Sequence, residues 1–256
     1  MTNSTKTPEF LNVPAVASAH YKENFIRQVV CELRFPTLFD LDSSKPPIAL
    51  AQALRKEYPN YQTVNNVNLS TGGLPKTNNS HIFRSKQNKW ATSISPSSLT
   101  LETTAYSSFE EFHSRINDIV KAASKVIDTD FFTRVGLRYI NSIPYPDDDD
   151  IREWINPDLV QILASGIYGE LQEHSQRVAG LASFGGGYLF QHGLGEIINN
   201  ETSYTLDFDF FKEDVPVTES MSLLKVMHDQ EFSMFTWALG KKAKAQLSDS
   251  KVKNKD

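Results

Sequence analysis

The sequence contains a single cysteine, Cys31, among 256 residues. One cysteine cannot form an intramolecular disulfide or a cysteine-rich zinc site, so we interpret Cys31 as a small buried residue in a reducing compartment. Nowhere do about 18 apolar residues follow one another, as a membrane-spanning helix requires. The first residues also lack the basic and apolar regions of a secretory signal. We therefore expect a cytoplasmic protein that does not bind a membrane.

The motifs that identify common enzyme classes are also missing. The six histidines form neither an H-x-x-x-H nor an H-E-x-x-H pair, which leaves a zinc site unsupported. There is no G-x-S-x-G nucleophile motif. The glycines at 185–187 lie between two strand-like segments and do not open a helix, so we interpret them as a turn or bulge. We expect no cofactor and favour a protein that is not an enzyme, although the sequence leaves that question open.

Charge is unevenly distributed along the chain, whose formal net charge is −5. The stretch 241–256 holds six lysines and two aspartates, and its net charge of +4 leaves −9 for all the residues before it. Because an acidic body repels phosphates, we do not expect the body to bind nucleic acid. We interpret 241–256 as a disordered lysine-rich tail and 1–22 as a disordered N-terminus.

Hydrophobic periodicity predicts both strands and helices. Alternation with period two predicts strands near 25–35, 61–70, 80–86, 89–95, 98–105, 131–141, 176–184, 186–192 and 202–211. Helical spacing predicts helices near 46–58, 109–127, 151–164 and 218–239. The short links predict an α+β fold in which helices cover one face of antiparallel sheets and a long helix lies near the C-terminus. The acidic run at 147–150 would separate an N-terminal half, 23–146, from a C-terminal half, 151–240, that packs on it.

Two predicted strands carry arginines on one face. Glu32 and Arg34 alternate with apolar residues in the first strand, and Arg134 and Arg138 do so in the strand at 131–141. If the strands share a sheet, Glu32 would pair with Arg134 or Arg138, and the pair would be structural. The alternative is that the three arginines bind an anion of a ligand or partner. Gly136 would then let a backbone approach.

Asp207 and Asp209 point to one face of the strand at 202–211, opposite Leu206, Phe208 and Phe210. Two carboxylates at this spacing can bind Mg²⁺. No third acidic residue follows at a spacing that would indicate a metal ligand, and two acidic residues on one side of a strand are typical of a solvated sheet face. They are therefore weak metal candidates.

Three segments carry a family resemblance. They are V-C-E-L-R-F at Val30–Phe35, G-L-R-Y-I-N at Gly136–Asn141, and His228 followed by F-T-W-A-L at 235–239. Together they resemble a sporadically distributed family of bacterial and archaeal proteins of unknown function, over about residues 22 to 240. The central G-x-R-Y-x-N is the most specific part. The chain departs from the family in lacking a short proline-led run before the first strand, and in its lysine-rich tail.

The resemblance implies no reaction, cofactor or catalytic residue. The candidates for binding an anion or a partner are Arg34, Arg134, Arg138, Tyr139 and Asn141. A patchy distribution suggests accessory genes, such as those of toxin–antitoxin or phage-defence systems. We therefore expect a prokaryotic, non-enzymatic component that binds another protein encoded nearby.

Two other functions stay open. The first is an enzyme acting on nucleotides or nucleic acid, with the three arginines as phosphate clamps and Asp207 and Asp209 as a metal site. The second is a small-molecule-binding protein with a pocket between the sheet and the long C-terminal helix. Self-association through the apolar side of that helix is a further alternative for the partner.

Overall fold

The computed structural model describes residues 8–21, 23–68, 76–195 and 202–249. Its strands are β1 (Ile26–Arg34), β2 (Asn60–Asn68), β3 (Lys76–Arg84), β4 (Trp90–Ser95), β5 (Ser98–Thr103), β6 (Phe131–Tyr145), β7 (Ser175–Ala182), β8 (Gly186–Leu194) and β9 (Thr202–Pro216). Its helices are α1 (Ile48–Leu54), α2 (Phe109–Ala123), α3 (Ile151–Trp154), α4 (Gln161–Ala164), α5 (Val217–Ala238) and α6 (Lys241–Asp249). The strands form one antiparallel sheet in the order β2-β3-β4-β5-β1-β6-β9-β8-β7. The predicted α+β class is confirmed, as is the long C-terminal helix, α5.

The predicted helix at 151–164 is broken into α3, a 3-10 turn at Pro157–Leu159, and α4. The cause is Pro157, because a proline disfavours helical backbone in the residue before it and cannot donate its own N–H. Asn156, the residue before Pro157, accordingly has a non-helical backbone, with φ −52° and ψ 127°. Ile155 forms an isolated antiparallel bridge with Leu239. None of the helices in the described ranges is both long and apolar enough to cross a membrane.

The described parts of both terminal stretches, 8–21 and 241–249, form contacts that the sequence did not predict. Residues 241–249 form α6 instead of a disordered tail, because Ala243 and Leu247 are buried and Lys242 Nζ lies 2.7 Å from the Asp149 carboxylate. In the N-terminal stretch, the Leu11 backbone N–H donates to the Leu181 carbonyl at 2.9 Å. Residues 1–7, 22 and 250–256 lie outside the described residues, as do 69–75, which include the predicted turn at 71–73 and the end of the predicted strand 61–70.

The chain divides into two compact units that do not follow the predicted halves. Within the described residues, the first unit consists of 8–27, 139–211 and 226–249, and the second of 28–138 and 212–225. The acidic run at 147–150, predicted to separate the halves, therefore lies inside the first unit. The predicted halves were inferred from local composition, whereas compact units are defined by contacts between distant segments.

In the second unit, one face of the sheet is apolar. Cys31 lies opposite Leu101 in register, and both are buried, as the sequence predicts for Cys31. Helices α1 and α2 contact each other, and the ring of Phe112 on α2 lies 6.0 Å from that of Trp90 on β4. The other face is partly exposed along β1, β5, β4 and β3.

In the first unit, aromatic rings fill one face of β8 and β9. Phe190 lies opposite Phe208 in register, with ring centroids 4.7 Å apart and planes 3° apart. Tyr188 likewise lies opposite Phe210 in register and stacks on it, with ring centroids 5.5 Å apart. The β7–β8 hairpin turns at Gly185, whose φ of 77° favours glycine. Gly185 therefore lies in the predicted turn, whereas Gly186 and Gly187 begin β8.

Candidate functional site

Glu32 forms the cross-strand pair that alternation predicts. Its Oε2 accepts hydrogen bonds from Arg34 Nε at 2.8 Å and from Arg134 Nη1 at 3.2 Å. The Arg134 side chain is only 17% exposed, whereas that of Arg34 is 54% exposed. An exposed ion pair contributes about 0–1 kcal/mol, so the pair with the more exposed Arg34 adds little to stability. Arg138 is exposed on the same face of β6.

The glycine at position 136 makes room for a side chain of its own strand. A Cβ built on Gly136 would overlap the guanidinium of Arg134, which lies across the glycine. The absence of a side chain at 136 therefore lets Arg134 reach along β6 to Glu32. The space that we expected an external backbone to use is filled by an arginine of the same strand.

Tyr139 and Asn141 lie on the opposite face of β6 from the arginines, because side chains alternate along a strand. Tyr139 Oη lies 3.0 Å from His228 Nδ1 on α5, with the two rings 5.8 Å apart. Asn141 is 2% exposed, and its Nδ2 donates to the Leu206 carbonyl at 3.4 Å. The five candidate residues thus do not share one surface: the arginines line a partly exposed face and these two belong to the packed face.

Asp207 and Asp209 are half-buried on β9, opposite Gln191 and Leu189 of β8 in register. In the ranges that the structure describes, no three histidine, cysteine, aspartate or glutamate side chains are grouped so that they could hold a metal ion. These two aspartates therefore gain no third ligand from the fold.

A buried carboxyl group on α5 was missed by the sequence analysis. Glu231 is 2% exposed, and neither carboxyl oxygen has a hydrogen-bond partner within the described residues. Burial raises the pKa of Glu231 well above its usual value, and the charge of Asp209 raises it further, while the nearby Phe210 backbone opposes the shift. The Glu231 carboxyl therefore favours its protonated, neutral form more strongly than an exposed glutamate does. Its position on the buried stripe Leu224–Met227–Glu231–Met234–Ala238, which repeats every three or four residues, is the signal that could have found it.

A second buried polar cluster joins β8, β9 and the segment before β7. His192 Nδ1 lies 2.7 Å from Tyr204 Oη, and Tyr204 Oη donates to the Leu159 carbonyl at 3.3 Å. The ring of His174 lies 6.4 Å from that of His192. Burial and, to a smaller extent, the nearby His174 together lower the pKa of His192 to about 4. Burial likewise raises the pKa of Tyr204. Because Tyr204 has one proton and donates it to Leu159, His192 donates from Nδ1 and is neutral.

A small cavity lies in the first unit, away from α5. It has a volume of about 220 Å³, below the roughly 300–1,000 Å³ of most ligand pockets. Its walls include Phe25, Arg27 and Ser142, together with Gln246 and Leu247 of α6. It is not the predicted pocket between the sheet and the long C-terminal helix.

Large apolar side chains are exposed mainly in two stretches of the first unit. Of twelve such residues in the described chain, two lie in 10–16 and five in 162–181. The five are Ile162 (39% exposed), Ile167 (81%), Tyr168 (66%), Val178 (47%) and Leu181 (53%). The last two lie on β7, which is an edge of the sheet. We call the stretch 162–181 the apolar segment.

Comparison with known proteins adds no assignment: no protein-family model and no curated protein matches the chain.

Proposed function

We propose that the protein is a non-enzymatic component that binds another protein, encoded nearby, and that it belongs to an accessory system of the toxin–antitoxin or phage-defence kind. The observation that carries the proposal is the apolar segment. Isolated exposed apolar residues are ordinary, but a concentration of them marks a surface that is covered in a complex. The family resemblance supports the accessory role.

The arginine cluster supports this function better than phosphate chemistry. Arg34 and Arg134 share the Glu32 carboxylate, so their charge is partly neutralised within the chain. A phosphate clamp needs guanidinium groups whose donors are directed at the ligand. Ile167 and Tyr168 of the apolar segment are 81% and 66% exposed, so these two side chains are open to a partner without such a rearrangement.

Co-purification with the product of the adjacent gene tests the proposal. The variant carries Ile167→Asp and Tyr168→Ser, which change exposed side chains and leave the core intact. We expect the wild-type protein to retain the neighbouring product through gel filtration and this variant to lose it. Ile48→Asp is the matched control, because Ile48 is 74% exposed but belongs to α1 of the second unit. Retention of the complex by the double variant, or no complex with the wild type, would overturn the proposal.

A further inference from the structure

Strand β7 has one hydrogen-bonding side that faces away from the sheet. In an antiparallel pair, successive residues direct their backbone N–H and C=O groups alternately towards and away from the neighbouring strand. The His174 carbonyl accepts from Leu194 N–H of β8, whereas the Leu181 carbonyl accepts from Leu11 N–H outside the sheet. The even-numbered residues of β7 therefore bond to β8. Residues 175, 177, 179 and 181 direct their backbone groups outwards.

This edge lacks the features that usually block strand pairing. The sequence SQRVAGLA contains neither lysine nor proline, and the pairing with β8 runs through eight consecutive residue pairs without a bulge. Native edges are commonly protected by such residues or bulges. Val178 and Leu181 are about half exposed, one on each face of the strand. The one charged residue, Arg177, is exposed and forms no ion pair with any residue that the structure describes.

The N-terminal stretch 8–21, which we call the strap, already touches this edge. Apart from the Leu11 bond to Leu181, its Val16 N–H donates to Ser233 Oγ of α5 at 3.1 Å. Its Tyr21 ring stacks on Phe232, with centroids 6.4 Å apart. The strap forms no helix and most of its residues are exposed. At Leu181 the edge therefore already accepts a backbone N–H from another segment of the chain.

We propose that the outward side of β7 is the docking site for an extended segment of the partner protein, which adds a strand to the sheet and displaces the strap. This inference rests on the proposed function and specifies the shape of the partner. The segment carries apolar side chains at alternate positions, which meet Val178 or Leu181, and an acidic side chain opposite Arg177. Backbone hydrogen bonds then give affinity and the alternate side chains give specificity. Because the strap is tethered, it competes as an intramolecular ligand at a high effective concentration.

The test uses the full chain and a synthetic probe, an acetylated and amidated hexapeptide of alternating valine and threonine with one glutamate. Amide exchange is followed by NMR as the probe is added. We expect new protection only among the outward amides of Ser175, Arg177, Ala179 and Leu181, because the even-numbered amides already bond to β8. Leu11→Pro, which removes the strap's bond to the edge, should strengthen probe binding at least fivefold. Unchanged affinity in Leu11→Pro would overturn the competition.

Ala179→Pro removes an outward N–H without removing a bond to β8, so it should abolish probe binding in a folded protein. Ala179→Gly keeps the N–H and is the matched control, which should bind. If the proline variant fails to fold, Ala179→Glu blocks the edge, because its carboxylate lies on the same face of β7 as Arg177 and repels the glutamate of the probe while the backbone stays intact. Probe binding that survives in the folded blocking variant would overturn the docking site.

The two proposals fail separately. A neighbouring product that co-purifies through Ile167 and Tyr168, while the probe leaves the β7 amides unprotected, would overturn strand addition and support protein binding. Probe protection at the β7 edge without any co-purifying product would support the edge and overturn the proposed partner.

Discussion

The buried imidazole of His192 should make the stability of the fold depend on pH. Its pKa is about 4 in the folded protein against 6.5 for an unperturbed histidine. The folded pKa is the lower one, so the contribution of His192 is fully present above pH 6.5 and is lost as the pH falls towards 4. Each unit of separation corresponds to about 1.36 kcal/mol. The free energy of unfolding should therefore fall by about 2 kcal/mol between pH 7 and pH 5, less if water reaches the ring.

Urea unfolding at pH 7 and pH 5 measures this effect by comparing the wild type with His192→Gln. The glutamine carboxamide can donate to Tyr204 Oη but cannot titrate, so this variant should lose about 2 kcal/mol less than the wild type over the same range. Its lost stacking on Phe190 affects both pH values and cancels in the difference. His20→Gln is the control, because His20 is exposed, and it should behave as the wild type does. Equal losses in the wild type and in His192→Gln would refute the reasoning.

Three further predictions concern groups whose surroundings the sequence does not reveal. Glu231→Leu should raise the free energy of unfolding at pH 7 by about 1–3 kcal/mol, measured in urea, because it removes a buried carboxyl without a hydrogen-bond partner. Because the pKa of Glu231 is raised in the folded protein, the wild type should lose stability as the pH rises above about 4.5, and the variant should not. A variant less stable than the wild type would contradict this prediction. Gly193→Ala should cost at least about 2 kcal/mol in thermal unfolding, because the new Cβ would overlap the His174 carbonyl and force the two backbones apart. Gly136→Ala should cost below about 1 kcal/mol, because the flexible Arg134 guanidinium can move away. Similar melting temperatures for the two variants would contradict this difference. Leu247→Ala should cost about 2–3 kcal/mol in urea unfolding, because Leu247 is 5% exposed on α6, and no measurable change would mean that α6 does not pack.

Alternation along the chain was sufficient to predict most of the fold. In β6, every second residue from Val135 to Tyr145 is buried, so the two faces of this strand could be assigned from the sequence. The same alternation predicted that Glu32 would pair with Arg134 or Arg138 if the two strands shared a sheet, and the structure has Arg134. Alternation of this kind depends only on residues that are neighbours along the chain, so it can be identified in a single sequence.

Contacts between distant segments could not be predicted in this way. Helix α6 has two buried apolar residues, Ala243 and Leu247, too few to outweigh a lysine-rich composition. Its partner Asp149 is 93 residues away along the chain. The bond between Tyr139 and His228 spans 89 residues. Each of these depends on which segments the fold brings together, and the periodicity of one segment carries no information about that.

The bond between Val16 and Ser233 joins residues 217 positions apart, and this separation fixes the order in which the molecule is completed during translation. At about 5–20 residues per second, the ribosome makes Ser233 roughly 10–40 s after Val16. Strand β7 is made in between, so every nascent chain has its edge before it has the anchor that holds the strap beside it. Under the proposed docking, a partner translated from a neighbouring gene would reach the β7 edge before the strap is anchored beside it. Assembly would then favour newly made chains over finished ones.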